Sequence, residues 1–291
     1  MKRASVILGL CLLALLVVGE DVLAQVPQAP QMPLLRVPRI SQGAKVTQVI
    51  GLSEVTIFYH RPGVKGREIW GPGKLLPYDS IWRAGANEPT LFTFSDPVTI
   101  ERKTLPAGTY RFLTIPGSTE WTVIFNSEVK NWGTDYEPKY DMLRFKVNPE
   151  VGPHEEWLSF SFTALTPSSA RAVLAWEKVR IGFKIEFNTL GKLEASLGTW
   201  QELNGAARDA LTENVYQNEA MTWIERSIAL DKNEMNLRTK AELLAAAGRT
   251  PDAIAAAEEA MKIGKLKDPK FESSQFAKDL GKLIDNWKAN K

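Results

Sequence analysis

Polar and apolar residues alternate along most of the chain between Lys45 and Phe187. Val55, Ile57 and Tyr59 alternate with Thr56, Phe58 and His60, and Tyr110, Phe112 and Thr114 with Arg111, Leu113 and Ile115. Leu158, Phe160 and Phe162 alternate with Ser159, Ser161 and Thr163, and Val179, Ile181, Phe183, Ile185 and Phe187 keep the same period. A period of two, in segments rich in aromatic and β-branched residues and broken by turns such as Pro116-Gly117-Ser118, predicts about ten strands. These strands predict a mostly antiparallel β-sandwich or barrel. Strand and helix patterns do not alternate, which excludes a parallel doubly wound sheet.

After Gly198 the period changes to that of a helix, in a stretch rich in Ala, Leu, Glu and Lys. Two segments match at an offset of 33 residues: Ala220, Met221, Ile224, Ser227, Ile228 and Leu230 correspond to Ala253, Ile254, Ala257, Ala260, Met261 and Ile263. Gly248 suits a left-handed helix cap, and Thr250-Pro251-Asp252 reads as an N-cap followed by proline at the first helical position. This helix–turn–helix resembles a tetratricopeptide repeat through Ala241, Leu244, Gly248, Ala253 and Ala260. Leu237 stands where that motif often has Trp, and Lys265 where it often has Pro. Two repeats fit, with the upstream helix (Gly205 to Thr212) fitting least well and Phe276 to Lys288 as a capping helix. A solenoid needs about three repeats to stand alone, so the module is expected to dock on the β-domain. The expected fold is thus α+β multidomain: an N-terminal, mostly antiparallel β-sandwich or barrel followed by a C-terminal α-helical tetratricopeptide-like module.

The N-terminus has a different pattern. Lys2 and Arg3 precede Val6 to Val18, a run of 13 residues that are all apolar apart from Gly9, and Val22-Leu23-Ala24 offers a cleavage site before Gln25. This is the layout of a secretory signal peptide. Glu20 and Asp21 end the run short of the roughly 20 apolar residues that a membrane helix needs. No second long apolar segment follows, so no membrane span is expected in the mature chain. The expected organisation is a signal peptide over 1–24, an extended proline-bearing tether over 25–42, a β-sandwich domain over 43–190 and a helical repeat-like domain over 199–291. Export to the periplasm or the extracellular space follows from the signal.

Composition narrows the chemistry. Cys11 is the sole cysteine and lies inside the signal, so the mature chain has no disulfide and no thiolate. His60 and His154 are the only histidines, too few for a His/Cys metal cluster, and no metal or cofactor is expected. The 36 basic and 34 acidic residues nearly balance, which argues against a nucleic-acid partner. No Gly-x-Ser-x-Gly elbow is present for a Ser–His–acid triad. Gly71-Pro-Gly73 is not a phosphate loop, because no Gly-Lys-Ser/Thr ending follows.

One stretch concentrates unusual residues. From His60-Arg-Pro-Gly-Val-Lys-Gly-Arg67 through Trp70 and Tyr78 to Trp82-Arg-Ala-Gly-Ala-Asn-Glu88, the chain runs between two strand patterns with no periodicity of its own. Loops longer than about 12–15 residues are uncommon in compact domains, and many are functional. Guanidinium groups beside aromatic faces bind carboxylates or phosphates, and the aromatics stack on sugars or bases. The candidate ligand-binding residues are Arg61, Lys65, Arg67, Trp82, Arg83, Asn87 and Glu88. The alternative is a structural loop in which the arginines pair with Glu68, Asp79 and Glu88 over a tryptophan plug.

The runs Arg61-Pro-Gly-Val-Lys-Gly-Arg67, Trp82-Arg-Ala-Gly-Ala-Asn-Glu88 and Leu105-Pro-Ala-Gly-Thr-Tyr110 resemble the domain of unknown function 2911 family of exported bacterial proteins. Trp121-Thr-Val-Ile-Phe-Asn126, Trp132-Gly133 and the helical Asn236-Leu-Arg-Thr-Lys-Ala241 are similar too. The resemblance implies an exported β-domain with an appended helical repeat, and it implies no activity, substrate or catalytic residue.

Together these readings favour an exported binding or scaffold protein. Its β-domain would take a small anionic or glycan ligand through the 60–88 loop, and its helical module would contact a protein partner or brace the sandwich. The competing reading is a metal-independent carbohydrate-active hydrolase with paired carboxylates drawn from Asp135, Glu137 and Asp141, beside Trp132, Tyr136 and Tyr140. A purely structural envelope role is the third.

Overall fold

The computed structural model describes residues 37–130 and 135–290. The signal peptide, most of the tether, and Trp132 and Gly133 lie outside the described residues.

The alternating segments form strands β1 (Gln42–Ile50), β2 (Ser53–Arg61), β3 (Leu91–Phe94), β4 (Val98–Ile100), β5 (Lys103–Leu105), β6 (Gly108–Ile115), β7 (Trp121–Asn126), β8 (Asp141–Val147), β9 (Glu150–Thr163) and β10 (Ser169–Phe187). They make two antiparallel sheets, ordered β1-β2-β3-β6-β7-β8 and β5-β4-β10-β9. The inner faces meet in one aromatic core. Phe92, Phe112, Phe125, Phe160 and Phe183 are all within 6 Å of a neighbouring ring, and Val55, Ile57, Ile181 and Ile185 fill the space between them. On β2 the expected alternation holds: Val55, Ile57 and Tyr59 are buried and Phe58 is exposed. On β6 and β7 both faces are covered, so Arg111 and Leu113 are buried alongside Tyr110 and Phe112.

The stretch between β2 and β3 contains no strand or helix, yet it is stitched to both sheets. Past Arg61 the chain leaves β2 and pairs with β9: Leu158 N donates to Pro62 O (3.0 Å) and Val64 N to Glu156 O (2.8 Å). Further on, Trp82 and Thr114 exchange backbone hydrogen bonds of 2.7 and 2.8 Å, so the loop takes the place of β3 beside the far half of β6. One end of the sandwich is therefore closed by the loop itself. Four of its non-glycine residues, Lys65, Asp79, Ala84 and Asn87, have φ between 50° and 60°.

The C-terminal part is helical: α1 (Thr189–Ser196), α2 (Trp200–Thr212), α3 (Gln217–Leu230), α4 (Glu234–Ala246), α5 (Thr250–Lys267) and α6 (Gln275–Ala289). Thr199 and Glu202 form a capping box on α2, and Asn233 with Asn236 forms one on α4. Gly248 has the left-handed φ (74°) expected of it. The cap of α5 is Arg249 rather than Thr250, which is already helical. The 33-residue offset is visible in burial: Ala220, Ile224 and Ser227 are fully buried, and so are Ala253, Ala257 and Ala260.

The expectation that this module docks an apolar side on the sandwich is not met, because the buried clusters of the two parts share no residue. Helix α1, which the sequence pattern did not reveal, supplies Leu190 and Leu193, and Leu197 just beyond it joins them, to cover α2 and α3. Leu280 and Ile284 of α6 close the other end against α4 and α5. Polar contacts tie α1 to the β-part: Lys192 Nζ donates to Leu52 O (2.9 Å) and to Asp96 (2.8 Å). Among the described helices, none is long and apolar enough to cross a membrane.

Candidate functional site

Between the loop and the sandwich lies a cleft of about 560 Å³, within the range of small-molecule sites. Four tryptophans that are far apart in sequence build its underside. Trp82 and Trp176 stack at 5.8 Å with 21° between their planes, Trp70 meets them edge-on at 5.6 and 5.7 Å, and Trp121 packs on Trp70 at 4.9 Å. Trp82 and Trp176 line the cleft, with Lys65, Arg67 and Arg83 around them and Ile40 and Ser41 on the approach. Among the described residues no Asp or Glu lines it.

Trp176 reaches this place through a bulge. Ala170, Ala172, Leu174 and Trp176 face the core at even positions, whereas Ile181, Phe183, Ile185 and Phe187 do so at odd ones. The register between β10 and β9 shifts on either side of Glu177, whose φ is 56°. An extra residue in one strand bends it and re-aims its side chains. That phase change was visible in the sequence and could have flagged Trp176, which the sequence reading left out.

The predicted site residues separate into groups. Lys65, Arg67, Trp82 and Arg83 come together at the cleft. Arg67 is also structural, since its Nε donates to Val64 O (3.0 Å) and its Nη2 to Gly63 O (2.6 Å). Arg61 lies outside the cleft: its Nε donates to Leu158 O (2.8 Å), and it faces a neighbouring hollow with Ile40, Gln42 and Trp157. Asn87 and Glu88 do not line the cleft either. Asn87 Nδ2 donates to Ser41 O (2.8 Å), and Glu88 takes Arg39 at 2.5 Å and His60 Nε2 at 3.1 Å. They hold the residues 39–41 against the loop, so this end of the expected tether is part of the fold.

The alternative pairing of the arginines with loop acids is not found. Glu68 binds Lys74 and Glu88 binds Arg39 and His60, while Arg61 and Arg67 spend their hydrogen bonds on backbone carbonyls. The tryptophan plug of that reading is present, and it is the floor of the cleft.

Two donors at the cleft have no acceptor among the described residues: Arg83 Nε and Trp176 Nε1 are both buried and unbonded. An unsatisfied buried donor costs about 1–3 kcal/mol. Arg83 also faces a like charge. Arg111, fully buried on β6, has its pKa lowered first by burial and further by Arg83, against the opposing pull of Asp135 and Glu128. Arg111 Nη1 donates to Asp135 O (2.6 Å). Sequence reading treated Arg111 as an ordinary outward strand residue; covering of both faces of β6 is what buries it.

Burial lowers the pKa of His60, with Glu88 opposing and Arg39 assisting. Burial acts to raise Glu88, but its own backbone hydrogen bond, Arg39 and His60 outweigh this and hold it below the usual range. His154 stands on β9 beside Glu156, at 3.5 Å.

Two of the three acids of the hydrolase reading, Asp141 and Glu137, are engaged with neighbours. Asp141 accepts from Tyr136 Oη (2.6 Å) and Asn126 Nδ2 (2.9 Å), and Glu137 pairs with Lys139 at 2.6 Å. Burial and the Asp141 carboxylate push Tyr136 up to about 12. Among the described residues no Asp or Glu is buried, whereas a catalytic acid at neutral pH relies on burial or a like charge to raise its pKa.

The chain is thus an antiparallel β-sandwich with a tryptophan-floored, cationic cleft at one end and a helical extension after its last strand. Residues 41–185 match the model of the family described as Protein of unknown function (DUF2911), and the chain belongs to that family. The match ends within β10, so it is narrower than the sequence resemblance, which extended into α4. No curated protein and no solved structure matches the chain.

Proposed function

We propose that the protein binds a small anionic or glycan ligand in the cleft between the 61–88 loop and the Trp82–Trp176 pair. The observation that carries this reading is the one-sided chemistry of the lining. Lys65, Arg67 and Arg83 bring positive charge, Arg83 Nε and Trp176 Nε1 have no acceptor among the described residues, and no described carboxylate lines the cleft, Glu156 behind Gly63 being bonded to Lys65 N (2.9 Å). A ligand that carries negative charge meets the three cations at once. The indole faces beneath favour a ligand with a flat or C–H-rich side, as sugars have.

Lys65, Arg67, Trp82 and Arg83 are the contact residues in this reading. Arg61 stands beside the cleft, and Asn87 and Glu88 position its rim. Residues 1–24 would direct the chain out of the cytoplasm, and the tetratricopeptide-like helices would contact a protein partner. A thermal-shift series with simple carboxylates, inorganic phosphate and sugar acids tests the binding reading. Acidic compounds should raise the melting temperature, and Arg83→Ala should abolish the rise. Equal shifts from neutral and acidic sugars, or shifts that survive Arg83→Ala, would remove the cleft from consideration.

A further inference from the structure

The cleft has a neighbour. A hollow of about 270 Å³ is lined by Ile40, Gln42, Arg61 and Trp157. Ile40, itself 73% exposed, lines both spaces, so they adjoin. By itself the hollow falls just below the size of an independent small-molecule site. As an extension of the cleft it makes chemical sense.

Each space contains an indole and a guanidinium. In the cleft these are the Trp82–Trp176 pair and Arg83; in the hollow they are Trp157 and Arg61. Trp157 is 41% exposed, unusual for so large an apolar side chain on a strand whose neighbours Leu158 and Phe160 are buried. Arg61 uses only Nε in a hydrogen bond, and no acid lines the hollow, among the described residues. Lys65 joins the two: it lines the cleft, and its ammonium stands 5.9 Å from the centre of the Trp157 ring.

The backbone between them also has a required shape. Gly63 lines the cleft and bridges to Trp157, and a Cβ there would come within 3.0 Å of Glu156 Oε1 and 3.1 Å of the Trp157 ring. A side chain at this position would press into the wall that the two spaces share.

A single small anion has use for one aromatic face and one cluster of cations. A second set of the same kind, adjoining the first, fits a ligand that repeats. We propose that the cleft and the hollow are successive subsites of one groove for an acidic oligosaccharide of two or more sugar units. One unit lies on the Trp82–Trp176 side with its carboxylate toward Arg83; the next lies against Trp157 with its carboxylate toward Arg61. Gln42 offers both a donor and an acceptor to sugar hydroxyls there. The inference rests on the anion-binding reading above and adds to it the ligand's polymeric character.

Calorimetric titration of the intact protein tests it, with galacturonic acid, its α-1,4-linked dimer and tetramer, neutral maltotetraose and tetraglutamate as probes. The dimer should bind about tenfold or more tighter than the monomer, the gain of one further charge-assisted contact. Maltotetraose and tetraglutamate should bind more weakly than the acidic dimer. Trp157→Ala should erase the gain from monomer to dimer, and Arg83→Ala should abolish binding of both. The comparison of chain lengths needs no variant, so a poorly folding mutant does not affect it. Equal affinity for monomer and dimer, both lost in Arg83→Ala, would overturn the second subsite and leave the anion-binding reading intact. Binding of no uronate at any length would overturn both. Tighter binding of tetraglutamate or maltotetraose would overturn the acidic glycan as the ligand class.

Discussion

The 61–88 loop and the α4–α5 hairpin are of similar length and follow opposite rules. In the hairpin, local chemistry and global fold agree. Asn233 and Asn236 cap each other's backbone, Gly248 takes the left-handed turn, and Ala241, Ala253, Ala257 and Ala260 pack in the buried seam. In the loop they disagree. Lys65, Asp79, Ala84 and Asn87 hold left-handed φ values that β-carbon-bearing residues avoid, and Arg83 has a buried nitrogen with nothing to bond. Sequences violate local rules chiefly at functional sites, and compensate elsewhere. Here the compensation is the aromatic cluster beneath the loop.

The contrast can be broken most directly at that cluster. Trp121→Ala removes a fully buried indole from under Trp70 and should cost about 3–5 kcal/mol of unfolding free energy in urea titration. A cost under 1 kcal/mol would mean that the loop does not depend on its floor. In the hairpin, Asn236→Ala leaves buried Asn233 N without its acceptor and removes the bonds from Asn236 Nδ2 to Asp231 O and Ser227 Oγ, and should cost about 1–3 kcal/mol. Arg67→Ala loses two bonds to loop carbonyls and should cost about 1 kcal/mol, its side chain being well solvated.

A smaller effect is expected where the two parts join. The hydrogen bonds from Lys192 and then Ser95 lower Asp96 from 3.8 to about 2. A carboxyl that folding acidifies adds stability above its unfolded value and gives it up as the pH falls through its folded one. Lys192→Met should therefore flatten the loss of stability between pH 3.8 and about 2, read from thermal melts across that range. An unchanged acid limb would show that this pair contributes nothing at the joint.

Least of all should happen to stability at Arg83. Its truncation removes an unbonded buried donor and a like charge beside Arg111, so Arg83→Ala should stay within about 0.5 kcal/mol of the parent or exceed it. A loss of several kcal/mol would make Arg83 a scaffold residue and return the loop to the hairpin's category.

The two regions were also unequally legible. Gly248 and Thr250-Pro251 located the turn between α4 and α5 to within a residue, because its contacts are local in sequence. Strand number and the unusual loop were readable from periodicity and residue type. The composition of the cleft was not, for two physical reasons. Its floor depends on Trp176, delivered by a bulge whose mark was a change of phase along β10. Its rim depends on Ile40 and Ser41, held by Asn87 through a hydrogen bond that spans 46 residues. Arg61, Asn87 and Glu88 were grouped with the cleft by proximity in sequence; Arg61 faces the adjoining hollow, and Asn87 and Glu88 hold residues 39–41 and His60. Docking of the helices on the sandwich was expected because two repeats are too few for a solenoid; α1, short and not read from the sequence, is the element that adds apolar cover to α2 and α3.

The stitch between Pro62–Val64 and β9 has a consequence for the order of folding. The helices need only near neighbours, and contacts of that kind form early and fast. The cleft needs Gly63 to find Trp157 and Trp82 to find Trp176, closures across most of the β-part, which chain entropy makes slow. A chain emerging from synthesis has no cleft until β10 is made. The cleft thus appears together with the completed sandwich, and a ligand bound there would stabilise the whole β-fold, not a loop that formed ahead of it.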